Sequence, residues 1–289
     1  MTRRCTPLVL CLLLVSLATL AQAAGDINWL PGGYEAALKA ATGSGKTTLL
    51  AVGSAYCEFC DRMDRDVITD AKVIQLSRSF ECARIDADKR DDLVVKYKAY
   101  VLPTYLFTDA RGEVIYRFSG YTPAEVFCVY LRTALRLAPA RTELATLQAK
   151  ADAGTATPQQ LARLGRLLRK FDRPAEAAKY LTQALTALKP ESPEAVLAQL
   201  DKAILDSTKG TQTALGSLEG WIVANPKHVE RWEAQYQLGM AQATTSQAAT
   251  AYSTFNTLAK AAPTNDWGIL AKYQAQILGP EAQRPITGG

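Results

Sequence analysis

Residues 42–60 read TGSGKTTLLAVGSAYCEFC, and two chemistries compete for this stretch. GSGKTT has the ending of a phosphate-binding loop, G-x-x-x-x-G-K-[ST], which follows a strand and opens a helix whose N–H groups surround the phosphates. The first glycine of such a loop belongs at position 40, where this chain has Ala40. The order of elements is also reversed: GGYEAALKAA at 32–41 reads as a helix before the loop, and TTLLAVGS as a strand after it. The pattern argues against nucleotide binding and for a Gly/Ser turn carrying a solvated Lys46. That leaves CEFC, ten residues on, as the stretch with chemistry.

Working outward, the reading gives a helix at 33–41, strand at 48–54, helix at 58–76 broken near Thr69-Asp70, strand at 80–86 and helix at 90–98. A strand at 104–108, a turn at 109–112, a strand at 113–118 and a helix at 123–137 follow. Strands alternating with helices and closed by a hairpin predict an α/β sheet covered on both faces. CEFC falls where a strand ends and a helix begins. A helix N-terminus stabilises negative charge on a first-turn sulfur, so Cys57 is the expected exposed nucleophile and Cys60, one turn inside, the resolving thiol. Glu58 and Asp61 oppose this by placing negative charge beside the thiolate. A structural disulfide and half a zinc site are the competing readings. Zinc lacks a second C-x-x-C, and the one histidine, His228, lies far along the chain. No metal and no cofactor is expected.

The run from Thr48 to Leu135 resembles the thioredoxin family: a strand, then Tyr56-Cys57-Glu58-Phe59-Cys60, then FECARIDAD, VLPTYLF, GEVIYRFSGY and a closing helix. The stretch from Cys60 through Val67-Ile68-Thr69-Asp70-Ala71-Lys72-Val73 is similar to the exported, reductase-like branch of that family. The resemblance implies a redox-active disulfide between Cys57 and Cys60, the two catalytic residues. It implies a cis bond before Pro103, and a substrate-binding surface made by Tyr56, Leu102 and Pro103. The Leu102 backbone is expected to pair with an extended substrate segment. Two departures stand out. Tyr56 replaces the family's tryptophan, and Ala51 stands where the family buries an aspartate, which leaves the proton acceptor for Cys60 to water, Glu58 or another acid. Cys82 and Cys128 read as buried, inert thiols, with a second disulfide as the alternative.

The chain has 289 residues and a formal charge of +5, too mild to suggest nucleic acid, and it shows no basic stripe interleaved with aromatics. Residues 1–23 read as a cleaved signal peptide: Arg3 and Arg4, an apolar run from Leu8 to Leu20, then Ala21-Gln22-Ala23. The expected location is therefore exported, periplasmic or secreted, where disulfides persist. The boundaries read as 24–138 for the α/β domain and 139–289 for the rest, divided at Pro139. A fragment ending there is expected to fold by itself.

Beyond Pro139 the chain is helical and repetitive. Ala177, Ala214 and Ala251 recur every 37 residues, as do Leu181, Leu218 and Phe255. Leu164-Gly165 and Leu238-Gly239 precede them at equal distances, but Asp201-Lys202 interrupts the middle copy. Leu-Gly, a small residue, a large apolar one and a closing proline resemble the tetratricopeptide repeat, at a longer period. About three copies are expected between a linking helix near 141–152 and a capping helix near 266–278, with a concave surface for a peptide or protein ligand. The combined expectation is an exported thiol–disulfide oxidoreductase, a reductase of protein disulfides that exchanges electrons with a redox protein. The alternative is a non-catalytic adaptor with a structural disulfide, working through its repeats.

Overall fold

The computed structural model describes residues 26–245 and 247–282. The expected signal segment 1–23 lies outside them. No helix among the described residues is long and apolar enough to cross a membrane.

The first half builds α1 (Gly33–Ser44), β1 (Thr47–Gly53), α2 (Glu58–Asp66), α3 (Ala71–Ser77), β2 (Phe80–Asp86), α4 (Asp91–Tyr97), β3 (Thr104–Thr108), β4 (Val114–Ser119) and α5 (Ala124–Leu137). The strands form one sheet in the order β2-β1-β3-β4, with β1 parallel to β2 and both hairpin strands antiparallel to their neighbours. Side chains alternate across a strand, so each face collects its own apolar set. Leu49, Ala51, Cys82, Tyr105 and Phe107 pack beneath α2, α3 and α5, against Met63, Val73, Phe127 and Leu131. Leu50, Val52, Ala83, Ile85 and Leu106 pack on the other face against Tyr34 and Ala37 of α1 and Leu93 and Tyr97 of α4.

Local chemistry sets the ends. Gly45 closes α1 with φ +72° and returns its N–H to the Ala41 carbonyl at 2.9 Å, a left-handed cap that favours glycine. Asp70 separates α2 from α3 by accepting from the N–H groups of Lys72 and Val73 at 2.8 and 3.2 Å, as an N-cap does. The helix–turn–strand order around Lys46 stands as read. Lys46 is less free than expected, because its Nζ donates to the Arg78 carbonyl at 3.1 Å and lies 3.7 Å from Glu81.

The second half is all helix: α6 (Ala140–Asp152), α7 (Pro158–Lys170), α8 (Pro174–Ala187), α9 (Pro193–Ser207), α10 (Gln212–Ala224), α11 (Arg231–Thr244), α12 (Ala248–Ala261) and α13 (Asp266–Ala282). α7/α8, α9/α10 and α11/α12 pair as three hairpins. Ala177, Ala214 and Ala251 are buried on their second helices. A Cβ at Gly165 would sit 2.6 Å from Leu181, and one at Gly239 would sit 2.6 Å from Phe255; both hairpins close because those side chains are absent. The middle copy has Lys202 at that position and opens a cavity of about 410 Å³ between α9 and α10. Asp201 beside it is fully buried, bound by Arg166 and Arg169 of α7. The interruption read in the sequence is thus an ion-pair site.

The two halves share a core. Val126 and Val129 of α5 are buried with Tyr236, Phe255, Leu258 and Leu270. Arg132 and Arg136 both bind Asp266 at the start of α13, Arg136 at 2.7 Å.

Candidate functional site

Cys57 is the N-cap of α2. Its sulfur accepts the Cys60 N–H at 3.1 Å, the geometry in which a helix start stabilises a thiolate. Cys57 and Cys60 are disulfide-bonded, with an S–S distance of 2.16 Å and Cα atoms 5.2 Å apart. Cys57 is half-buried rather than fully exposed, as is Cys60; the sulfur folds back over the helix start instead of projecting outward. Gly53 ends β1 directly beneath: a Cβ there would lie 3.2 Å from Cys60 Sγ. Glu58 and Asp61 both face solvent.

The β1–β3 register ends at Val52–Thr104, so Gly53 and Pro103 leave the same end of the sheet. The Leu102–Pro103 bond is cis, the isomer the resemblance implies. Pro103 is buried, and its carbonyl accepts the Gly120 N–H at 2.7 Å. The Leu102 backbone makes no backbone hydrogen bond among the described residues. Tyr56 is 94% exposed, and Phe59, Tyr100 and Val101 are also exposed apolar side chains near this end.

Ala51 is buried between Arg84 of β2 and Tyr105 of β3 in the strand register. Asp64, one turn past Cys60 on α2, is held in a two-pronged pair by Arg84, both bonds 2.8 Å, and Arg84 in turn lies over the Trp29 ring. An acid–base pair on the rim therefore stands near the column where Ala51 leaves no buried acid. Cys82 and Cys128 are free and buried. Burial pushes the Cys82 thiol up to about 12, and burial likewise raises Cys128, which keeps both protonated and unreactive.

Sequence reading missed the loop beneath the site. Gly120, Tyr121 and Thr122 join β4 to α5. Gly120 holds Pro103, the Tyr121 ring lies 4.1 Å under the Arg62 guanidinium of α2, and the Thr122 N–H approaches Met63 Sδ at 3.5 Å. Gly120 and Tyr121 close the GEVIYRFSGY segment of the resemblance, but nothing in the sequence marks their contacts with Pro103 and α2.

Residues 34–135 match the family model of a thioredoxin-like domain. Over 110 residues, 36% of this chain, the sequence is 33% identical to the thiol:disulfide interchange protein DsbD of Ralstonia nicotianae. The chain spans only 18% of that relative's length. Similar solved structures are a DsbH oxidoreductase (19% identity, TM-score 0.36, covering 40% of this chain and 88% of that one) and a thioredoxin from Thermus thermophilus (25%, 0.38, 41% and 94%). The matched segment begins in α1 and ends in α5, and it contains both bonded cysteines and the cis proline. Residues 34–135 are therefore a thioredoxin-like domain, followed by an all-helical domain.

Proposed function

We propose that the protein is an exported thiol–disulfide oxidoreductase that reduces protein disulfides, divided near Pro139 into a redox domain and a partner-holding helical domain. The observation that carries this reading is the Cys57–Cys60 pair at a helix start, at the sheet end where the Leu102 backbone is unpaired. In the reduced protein the Cys57 thiolate attacks a substrate sulfur, a mixed disulfide forms, and the departing substrate thiolate takes a proton. The Cys60 thiolate then attacks Cys57 Sγ, releasing the second substrate thiol and forming the Cys57–Cys60 bond. Two electrons pass from the pair to the substrate, so a separate dithiol protein must return them.

Tyr56 and Leu102 form the proposed substrate surface and the buried Pro103 shapes it from beneath: Leu102 adds an extended segment by main-chain hydrogen bonds, and exposed Tyr56 supplies apolar contact. Glu58 and Asp61 favour the reducing direction, since a less stabilised thiolate makes the pair more reducing. The test is reduction of insulin, driven by a chemical dithiol, with trapping. Cys57→Ser is expected to abolish turnover, and Cys60→Ser to accumulate a mixed disulfide through Cys57. If the reduced wild-type protein is alkylated first at Cys60, the roles assigned here are wrong. A pair inert to dithiols would instead support the adaptor.

A further inference from the structure

A cavity of about 800 Å³ lies between the two domains, away from the cysteines, with α5 and β4 on one side and α7, α11 and α13 on the other. Its size falls in the range of ligand sites. Tyr116, Tyr130, Tyr236 and Trp267 line it, with Tyr236 and Trp267 rings 5.4 Å apart. The inner face of the repeats therefore looks onto the redox domain rather than open solvent.

The polar floor is a charge network. Arg169 binds Asp201 and Glu233, and Arg166 binds Asp201 and Glu230. Glu233 is nine-tenths or more buried and takes Arg169 at 2.8 Å on Oε1. Its other oxygen, Oε2, has no hydrogen-bond partner among the described residues. Lys170 Nζ lies 3.8 Å from that oxygen, too far for a hydrogen bond, and makes no hydrogen bond of its own among the described residues. An unused acceptor and an unused donor thus stand side by side on the lining. Burial opposes ionisation of Glu233, but the Arg169 and Lys170 charges outweigh it and hold the carboxyl below its ordinary range.

This arrangement selects by sign. A cationic ligand meets Lys170 and Arg169, and an anionic one meets Glu233 and Glu230. A neutral dipole with an N–H beside a carbonyl meets neither penalty and satisfies both unused groups. We propose that the cavity seats an extended peptide segment of a partner protein, one residue placing its N–H on Glu233 Oε2 and its carbonyl on Lys170 Nζ, with neighbouring side chains against the aromatic walls. The inference deepens the reading of the helical domain as the partner-holding part and rests on it.

The test uses the full chain and positional-scanning pools of N-acetylated, C-amidated tetrapeptides, read by the Trp267 indole NMR signal with Trp29 as a remote reference. At least one pool is expected to shift Trp267 saturably and leave Trp29 in place. The best peptide should weaken ten-fold or more when its central amide is replaced by an ester, which removes the N–H, and in Lys170→Met, which removes the donor. No saturable pool, or equal affinity of ester and amide, overturns the proposal and leaves a water-filled space. Saturation by n-butylammonium alone overturns it in favour of a cation site. Insulin reduction is measured in parallel: peptide binding without reduction sinks the proposed activity and not this site, and the converse sinks this site alone.

Discussion

The Tyr273 hydroxyl, on the last helix, donates to the Tyr121 carbonyl at 3.1 Å across 152 residues of sequence. Tyr121 lies in the loop that holds Pro103 and carries Arg62 of the cysteine helix. The helical domain therefore reaches the Cys57–Cys60 site from behind. Losing one such bond is worth about 0.5–1.5 kcal/mol. Tyr273→Phe is expected to slow insulin reduction by about two- to ten-fold, the same energy expressed as a rate, and to move the reduction potential of the Cys57–Cys60 pair. Asp266→Asn loosens another tie between the domains, at Arg132 and Arg136, without touching this loop. It should leave the potential unchanged. Equal shifts in both variants would show that domain docking in general, and not Tyr273, sets the site.

The hairpin glycines separate close approach from mere presence in a helix. Gly165→Ala forces a methyl to within 2.6 Å of Leu181 and is expected to cost about 1–3 kcal/mol. Gly216, within α10, has nothing within 4 Å of where a Cβ would stand. Gly216→Ala should stabilise by about 0.5–1 kcal/mol. Urea unfolding of the two variants checks both signs.

Arg169 holds two buried carboxylates, Asp201 and Glu233. Arg169→Met leaves them without that partner and is expected to cost about 3–5 kcal/mol at neutral pH. The folded Glu233 lies below its ordinary value of 4.5. Its stabilising contribution is therefore complete above pH 4.5 and lost as pH falls through the folded value. Glu230 works in the opposite sense: burial, and then the Glu233 charge, raise it, so its contribution fades as pH rises through its folded value. Thermal melts from pH 7 down to pH 3 should show the wild-type advantage over Arg169→Met shrinking below pH 4.5. A constant gap would mean that Glu233 is not the group involved.

A fragment ending at residue 138 exposes Val126 and Val129, both buried against the helical domain. Such a fragment is expected to fold by itself and to self-associate through these side chains, and Val126→Asn with Val129→Lys should return it to a monomer by light scattering. A monomeric unmodified fragment would show that the shared core is dispensable.

Much of this was legible in the chain. CEFC at a strand–helix junction, the capping Asp70 that parts α2 from α3, and the two-sided apolar strands are patterns within or between adjacent elements. Hydrophobic periodicity and turn chemistry record them directly. The recurrence of Ala177, Ala214 and Ala251 marked the hairpins because each repeat packs mainly on its sequence neighbours. Asp201-Lys202 was visible only as an interruption. Its partners, Arg166 and Arg169 from α7 and through Arg169 Glu233 from α11, come from separate helices.

The sequence by itself determined the two architectures and the place of CEFC at a helix start, since local pattern follows from residue type and spacing; it left open whether Cys82 and Cys128 are bonded, and the structure leaves both free and buried. Tertiary structure decided the rest: the Tyr273–Tyr121 bond, the loop beneath Pro103, the cavity between the domains and its unused Glu233 oxygen. The loop depends on β3, β4 and α2 meeting at one end of the sheet, and the bond and the cavity on how the helices pack against α5; side chains meeting across those contacts set both, and no period or motif along the chain records them.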